Sequence, residues 1–348
     1  MARVVVAGAG AAGASVAYHL AELGADDVVL CDRSTVAGGA TSKAMGGVRQ
    51  QFSTEAEVRL AQASIRFFEE LGSPFFEQVG YLFLATSEHD LAELEERTAL
   101  QRELGVPVEP ASPPPGVRSD DILGGFACWT DGVADPSAVA RELVRRAAER
   151  GVDVREGRDA TTIEADAVVI ASGPWSGEVA TKLGVELPIK PLRRQLLETT
   201  PIEGLAPDLP MIVESETGFH FRRRGDRLVV AMADPDPHWG FDENVDETLF
   251  DDRLARLKRR FPPAATARIE RGWAGLYDMT PDAHPILGRV AESIYAACGF
   301  SGHGFMQSPA VGRAVAEEVL GLSPTFDLAP YRLDRFESGA VFPEQLIL

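Results

Sequence analysis

The pattern of apolar and polar residues near the start of the chain predicts a strand, a helix and a second strand. Residues 3–7 form a short β-branched run, and residues 8–13 contain only glycine and alanine. Small residues over 14–23 predict a helix that ends before a glycine, and the apolar run 28–31 predicts a strand that closes at Asp32. A strand, a helix and a strand joined by short links indicate a parallel βαβ unit.

Two longer helices and a central strand are predicted in the middle of the chain. Apolar positions at helical spacing predict a helix over residues 54–71 with Ser53 as its N-cap. A second helix is predicted to start at Asp135 and to run to Arg150. The run 167–171 consists only of alanine, valine and isoleucine, which is typical of a strand buried in a parallel sheet.

The later pattern separates a strand-rich segment from a segment that returns to strand and helix. Residues 191–271 favour strands with few helices. Residues 293–297 predict a further strand, which a glycine-rich loop follows. The last helix is predicted over 309–320, because Ser308 and Pro309 form a favourable N-cap and N1 pair.

These elements predict an α/β protein in which two domains interleave along the chain. A Rossmann-like, discontinuous nucleotide-binding domain carries an inserted, mainly antiparallel α+β substrate domain. A length of 348 residues accommodates both. The predicted boundaries are 1–76, 135–190 and 272–337 for the nucleotide-binding domain, 77–134 and 191–271 for the substrate-binding domain, and 338–348 for a C-terminal tail.

The charge balance argues against nucleic acid and anionic membranes as partners. Acidic residues outnumber basic ones 53 to 34, which gives a formal net charge of -19. Such a surface repels phosphate backbones and anionic lipid. No apolar run approaches the roughly 18 residues of a membrane span, and the three cysteines show neither a disulfide framework nor a metal-ligand spacing. We therefore expect a cytoplasmic protein with a small-molecule substrate, no metal, no membrane span and no nucleic-acid partner.

The first glycine turn carries a dinucleotide signature. Residues 8–13 read Gly-Ala-Gly-Ala-Ala-Gly, which fits G-x-G-x-x-G directly after a predicted strand. The first glycine allows a tight turn, the second lets the backbone approach a pyrophosphate, and the third lets the helix pack closely on the strand. Asp32 ends the second strand, where its carboxylate can accept hydrogen bonds from ribose hydroxyls. The motif disfavours NADP and leaves NAD and FAD open.

Glycine- and serine-rich turns recur at three later places in the chain. Residues 38–42 read Gly-Gly-Ala-Thr-Ser, residues 171–176 read Ala-Ser-Gly-Pro-Trp-Ser, and residues 299–305 read Gly-Phe-Ser-Gly-His-Gly-Phe. Together with residues 46–52 and 276–282, these segments resemble the D-amino acid oxidase-like superfamily of FAD-dependent oxidoreductases. The resemblance is to its sarcosine oxidase, glycine oxidase and proline dehydrogenase branch, and it favours FAD over NAD.

The resemblance implies where FAD binds. The loop 299–305 is expected to border the pyrimidine edge of the flavin, and the positive end of the helix after it is expected to stabilise the reduced, anionic flavin. The residues assigned to the cofactor are Gly8, Gly10, Ala11, Ala12, Gly13, Asp32, Arg33, Thr41, Ser42, Gly46, Gly47, Ser172, Gly173, Trp175, Gly302, His303, Gly304, Phe305 and Met306.

The resemblance also implies a substrate site with four candidate residues. Arg49 occupies the segment in which related oxidases bind the substrate carboxylate, and a guanidinium matches a carboxylate bidentately. Tyr277 aligns with a tyrosine near the substrate of sarcosine oxidases. His220 lies on a predicted strand facing the flavin, and His303 lies in the flavin loop.

The chain departs from the family pattern at three places. Gly275 stands where monomeric sarcosine oxidases attach the flavin to a cysteine, so we expect non-covalent FAD. Met306 replaces their carboxylate-binding lysine, so Arg49 is expected to act alone or with another partner. The inserted domain shows no lysine between residues 219 and 230, where the oxidases activate oxygen, which favours a dehydrogenase or a slow oxidase.

The resulting hypothesis is an FAD-dependent oxidoreductase of the sarcosine, glycine or proline type. It oxidises the C–N bond of an amino acid or of an N-methyl or secondary amine by hydride transfer to flavin N5. The expected partners are a small carboxylate-bearing amine, oxygen or another electron acceptor, and a partner subunit or a second copy of the chain. The alternatives are a non-catalytic flavoprotein assembly factor and an NAD-dependent dehydrogenase.

Overall fold

The computed structural model describes residues 2–343 and contains three β-sheets with helices packed against them. In chain order the strands are β1 (Val4–Ala7), β2 (Val28–Asp32), β3 (Gly47–Val48), β4 (Phe76–Glu77), β5 (Tyr81–Ala85), β6 (Val108–Pro110), β7 (Gly124–Cys128), β8 (Gly132–Ala134), β9 (Asp153–Glu156), β10 (Ala167–Ile170), β11 (Lys190–Thr199), β12 (Met211–Glu214), β13 (His220–Arg224), β14 (Arg227–Ala231), β15 (Ile269–Met279), β16 (Ile286–Ala291) and β17 (Ile294–Cys298). The helices are α1 (Ala11–Glu22), α2 (Glu55–Leu71), α3 (Glu88–Glu103), α4 (Pro136–Glu149), α5 (Ser176–Lys182), α6 (Phe250–Arg260), α7 (Gly304–Val319) and α8 (Arg335–Ser338).

A six-stranded sheet forms the nucleotide-binding part, in the order β16-β17-β10-β1-β2-β9. Its strands are parallel except β16, which pairs antiparallel with β17 at one edge. The central strands β1 and β10 are apolar because helices and loops cover both faces of the sheet. Helix α1 packs between α4 and α7, and its small residues allow this close approach. The predicted βαβ unit is confirmed.

An eight-stranded sheet forms the second part, in the order β15-β11-β14-β13-β12-β5-β7-β6. Its pairs are antiparallel except β12 with β5. A three-stranded sheet of β3, β8 and β4 joins segments from different parts of the chain. The predicted α/β class with an inserted, mainly antiparallel domain is confirmed. Strand β15 runs across the predicted boundary at residue 272, and the domain boundaries stay a prediction.

Three predicted helix starts are wrong, and the first is that of α1, which begins at Ala11 rather than at residue 14. Helix α2 begins at Glu55, and its N-cap is Thr54 rather than Ser53, because the Thr54 hydroxyl accepts the Glu57 amide. Helix α7 begins at Gly304, so that Pro309 lies inside the helix rather than at its first position. Proline has no amide to donate to the carbonyl four residues earlier.

The Ser308 hydroxyl compensates for Pro309 by donating to the Phe305 carbonyl at 2.9 Å. The carbonyl that Pro309 cannot reach therefore keeps a hydrogen bond, and the helix continues through the proline. Residues 344–348 of the predicted tail lie outside the described residues. No helix within residues 2–343 is both long and apolar enough to cross a membrane.

Candidate functional site

A cavity of about 480 Å³ lies between the carboxyl ends of β1, β2 and β10 and one face of the eight-stranded sheet. This is within the size range of ligand pockets in proteins. Gly13 and Ser42 lie outside its lining, and the other predicted site residues line it: Gly8, Gly10, Ala11, Ala12, Asp32, Arg33, Thr41, Gly46, Gly47, Arg49, Ser172, Gly173, Trp175, His220, Tyr277, Gly302, His303, Gly304, Phe305 and Met306.

The glycine turn at the start of α1 is built by close backbone contacts. Gly8 has a φ of 111°, and a Cβ at this position would lie 2.4 Å from the Ala171 carbonyl oxygen. A Cβ on Gly13 would lie 1.8 Å from the Gly8 carbonyl oxygen, so Gly13 serves the packing of helix on turn and faces away from the cavity. The Thr41 hydroxyl accepts the Ala11 amide at 3.0 Å, and the first turn of α1 carries no acidic residue. The turn thus presents backbone amides and the positive end of a helix to the cavity.

Asp32 stands at the carboxyl end of β2, beside this turn. Its two carboxylate oxygens accept the backbone amides of Ala9 at 2.8 Å and Ser34 at 2.7 Å. These hydrogen bonds fix the carboxylate at the cavity wall, where remaining lone pairs can accept further donors. The Arg33 guanidinium lies over the Trp175 ring, 4.4 Å from its centroid. Both side chains line the cavity at the end where Asp32 stands.

The loop that precedes α7 lines another part of the cavity. Gly302 has a φ of 102°, and a Cβ there would lie 2.4 Å from the Tyr277 ring. Asp278 accepts the Gly299 amide at 2.7 Å and so holds the loop against β15. Burial raises the pKa of Asp278 to about 6. No side chain caps α7, which starts at Gly304 inside this lining, so the positive end of α7 lies at the cavity itself.

Arg49 follows β3 and is buried beneath the same cavity, with 1% of its surface exposed. Its guanidinium lies over the Phe52 ring, 4.1 Å from the centroid, and donates to the Gln51 carbonyl. Phe52 in turn contacts the His303 ring edge to face, with 5.1 Å between the ring centroids. The structure therefore brings Arg49 and His303 together through one aromatic side chain.

His220 enters the cavity from β13 as a neutral imidazole. Its Nδ1 lies 2.7 Å from the Gly218 carbonyl oxygen, which can only accept, so Nδ1 carries the proton. Burial lowers the pKa of His220 to about 4, and the positive charges of Arg49 and Arg194 act in the same direction. At neutral pH the Nε2 atom therefore bears a lone pair.

The sequence reasoning missed Arg194, which lines the cavity from β11. Its guanidinium lies over the Tyr277 ring, 5.5 Å from the centroid. In β11 the alternation of side chains places Arg194 on the same face as Leu196, which also lines the cavity. No local pattern in the sequence marks Arg194, because the same face of β11 also carries Lys190 and Glu198.

Lys43 is a second cation that sequence reasoning missed. It lines the cavity from the nucleotide-binding part, and its ammonium pairs with Glu243 at 2.5 Å. Its Cβ would lie 2.9 Å from a Cβ on Gly275. A larger residue at position 275 would therefore displace Lys43.

The residues present fit an FAD molecule. The starts of helices α1 and α7 open on the same cavity and suit a pyrophosphate and an electron-rich ring edge. Asp32 suits a ribose, and the glycines at 8 and 302 leave no side chain between backbone and ligand. Fold and cavity together define a dinucleotide-binding protein of Rossmann type with a substrate sheet over the cofactor cavity.

Comparison with known proteins assigns the family. The family model described as DAO, FAD dependent oxidoreductase, matches residues 3–318, so the chain belongs to this family of FAD-dependent oxidoreductases. FAD-dependent oxidoreductase domain-containing protein 1 from Bos taurus is 30% identical over 99% of this chain and 87% of that protein. Sarcosine oxidase subunit beta from Arthrobacter sp is 26% identical over 98% of this chain and 92% of that protein.

A solved structure supports the same assignment. L-proline dehydrogenase from P. horikoshii is 26% identical and covers 98% of this chain and 99% of its own, with a TM-score of 0.90. The cofactor is FAD, and the alternative of an NAD-dependent dehydrogenase is wrong.

Proposed function

We propose that this enzyme oxidises the C–N bond of a small amine that carries a carboxylate, of the amino-acid or N-methyl amine type. The observation that carries the proposal is the meeting of Arg49, His220 and Tyr277 in the cavity that holds the dinucleotide motif. The names of the relatives, sarcosine oxidase subunit beta and L-proline dehydrogenase, support the same substrate class.

We propose that FAD binds without a covalent link, held by the α1 turn, Asp32 and the loop before α7. Gly275 offers no side chain for attachment, and Lys43 fills the space beside it. Bound FAD would supply the two-electron acceptor for the hydride that leaves the substrate carbon. The backbone amides and the positive end of α7 at Gly304, which line the same cavity, would stabilise negative charge on the reduced flavin.

The role proposed for Arg49 is to bind the substrate carboxylate. A buried guanidinium that already packs on Phe52 loses little freedom on binding and can match a carboxylate with two hydrogen bonds. Positioning of the substrate over the cofactor then supplies most of the rate enhancement.

The role proposed for His220 is to accept a hydrogen bond from the substrate N–H through Nε2. The amine must react in its neutral form, because a protonated nitrogen has no lone pair to stabilise the developing C=N bond. The same guanidinium groups that lower the pKa of His220 would lower the pKa of a bound ammonium, so Arg49 and Arg194 favour the reactive form.

The proposal is tested by the Arg49→Ala variant of the FAD-loaded enzyme. The KM for carboxylate-bearing amines should rise about tenfold to hundredfold, because a charge-assisted pair is lost. Flavin content, read from visible absorbance, should stay unchanged. Arg49→Lys should recover part of the affinity, and Arg59→Ala, at an exposed ion pair on α2, is the matched control. An unchanged KM in Arg49→Ala would contradict the assignment.

Oxygen or another electron acceptor completes the proposed reaction. A partner subunit or a second copy of the chain stays a prediction, and so does the cytoplasm as its compartment. Anaerobic mixing with a panel of N-methyl and cyclic amino acids tests the reaction independently of the acceptor, because the bound flavin loses its colour on reduction. No bleaching with any of them would favour a non-catalytic flavoprotein.

A further inference from the structure

The positive charge of Arg194 is not balanced by an acidic side chain among the residues that the structure describes. Arg194 is half-buried, and within residues 2–343 its guanidinium donates only to the Arg193 carbonyl, at 3.5 Å. Its Nε atom is buried and makes no hydrogen bond. A half-buried guanidinium with one long hydrogen bond and no carboxylate partner can gain a charge-assisted pair with an anionic ligand.

The acidic residues that line the cavity form hydrogen bonds or ion pairs with groups other than Arg194. The carboxylate of Asp32 is held by backbone amides at the dinucleotide turn. Glu178 faces Arg33 at 3.6 Å, and Asp159 pairs with Lys182 at 2.7 Å. Glu243 neutralises Lys43, and Asp278 holds the loop before α7. None of these pairs involves Arg194.

Arg49 and Arg194 reach the same neighbours from two different walls. Arg49 comes from the β3 side, whereas Arg194 comes from β11 of the eight-stranded sheet. Both guanidinium groups lower the pKa of His220 and oppose the rise that burial causes in the pKa of Tyr277. Two positive groups therefore face one small volume around His220 and Tyr277.

Arg222 adds a third cation on the same side of the sheet. It lies two residues after His220 in β13, so both side chains lie on one face. It is buried behind Gly46, outside the cavity lining, and its guanidinium donates to the Arg223 carbonyl at 3.4 Å. The substrate end of the cavity is thus positive in a protein whose net charge is -19.

We propose that the substrate is a dianion: a secondary amine with two carboxylate groups, of which Arg49 binds one and Arg194 binds the other. This inference rests on the proposed function, since it names the class of amine that the site takes. Arg49 holds one carboxylate under the proposed function, and Arg194, which no acidic side chain of residues 2–343 neutralises, can form a charge-assisted pair with a second carboxylate of the same substrate. The lone pair of His220 Nε2 would accept the amine N–H of this substrate.

The binding of two thioethers to the FAD-loaded enzyme tests, without turnover, how many carboxylates the substrate site binds. Thiodiacetate carries two carboxylates and (methylthio)acetate carries one, and neither has an oxidisable amine. Thiodiacetate should bind about tenfold to hundredfold more tightly, as measured by the change in the flavin spectrum. Arg194→Gln should abolish this preference, and Arg194→Lys should restore part of it. Arg223→Gln, whose side chain lies on the other face of β13 and donates to the Pro207 carbonyl, should retain it.

Anaerobic bleaching by two amines separates this inference from the proposed function. Iminodiacetate and sarcosine differ by the second carboxylate, and iminodiacetate should bleach the flavin at the lower concentration. If sarcosine bleaches the flavin and the two thioethers bind with equal affinity, the inference of a dianionic substrate is wrong, whereas the proposed amine oxidation holds. If thiodiacetate binds tightly and this binding depends on Arg194, but no amine bleaches the flavin, the site for a dianion holds and the proposed amine oxidation is wrong. Equal loss of affinity for both thioethers in Arg194→Gln would overturn the role of Arg194.

Discussion

At the scale of single residues, the position of Arg49 depends on an aspartate more than eighty places away. Asp131 is fully buried and accepts the Gln50 backbone amide at 3.0 Å and the Gln50 and Gln51 side-chain amides at 3.0 and 3.1 Å. The segment that carries Arg49 is therefore held by a carboxylate from the turn between β7 and β8. Asp131 is a positioning residue in this arrangement, because it contacts the residues after Arg49 and does not line the cavity.

The charge of Asp131 should make stability depend on pH. Burial raises the pKa of Asp131 to about 6, and the hydrogen bonds from Gln50 and Gln51 oppose this rise only in part. A carboxyl whose pKa is higher in the folded state binds more protons there, so its contribution to stability is lost as pH rises through about 6. The free energy of unfolding of Asp131→Asn, relative to the unchanged protein, should therefore increase from pH 5 to pH 7.

Urea unfolding at several pH values measures this difference, and Glu142→Gln serves as its control. The guanidinium groups of Arg145 and Arg146 lower the pKa of Glu142 to about 2, so its contribution to stability changes only below its ordinary pKa. The Glu142→Gln difference should be constant over the same interval. A constant difference for Asp131→Asn as well would show that Asp131 does not titrate there.

At the scale of elements, the loop before α7 and the start of α7 decide the shape of the cofactor cavity. The Ser308-Pro309 pair predicted a helix start five residues too late, because the sequence rule weighs proline by position alone. The structure keeps the helix through Pro309 by means of the Ser308 hydroxyl. The consequence is that the positive helix end lies at Gly304, inside the cavity lining, rather than one turn away.

The Gly302→Ala variant should lose bound FAD. Gly302 has a positive φ, and an added Cβ would meet the Tyr277 ring at 2.4 Å, so the loop or the ring must move. Gly321→Ala is the matched control, because Gly321 also has a positive φ but no atom lies within 4 Å of an added Cβ. Both variants should lose about 1 kcal/mol of stability from backbone strain, measured by urea unfolding. Only Gly302→Ala should release flavin on dialysis, and equal retention in both would contradict the role of this contact.

At the scale of the whole molecule, the chain crosses several times between its two large sheets. Strands β1 and β2 belong to the first sheet, β5 and β7 to the second, β9 and β10 to the first again, and β11 to β15 to the second. The cavity lies where the sheets meet, so its lining draws on both. Each sheet is built from chain segments that are separated in the sequence by segments of the other sheet.

This interleaving predicts a single cooperative unfolding transition. Calorimetry should give one peak with equal calorimetric and van't Hoff enthalpies, because neither sheet can unfold while the other stays intact. Added FAD should raise the midpoint of that single transition, since the ligand binds only the folded state. The shift should be smaller in Gly302→Ala. Two separated transitions, of which FAD moves only one, would show that the sheets unfold independently.

Local chemistry in the sequence was sufficient to predict the nucleotide-binding part. The glycine turn, Asp32 and the apolar strand at 167–171 are contiguous signals, because each depends on neighbours in the chain. The same holds for Arg49, whose segment carries the family pattern. Arg194 and Lys43 could not be predicted in this way, because their place in the cavity follows from sheet pairing and from the approach of the two parts.

The sequence by itself determined the fold class and a dinucleotide cofactor in an acidic protein. These follow from periodicity, glycine positions and composition, which act over short distances along the chain. Only the tertiary structure decided where the helix end meets the cavity and how many cations face it. Those properties arise from groups far apart in sequence, such as Arg49 and Arg194, that burial and strand register bring to one place.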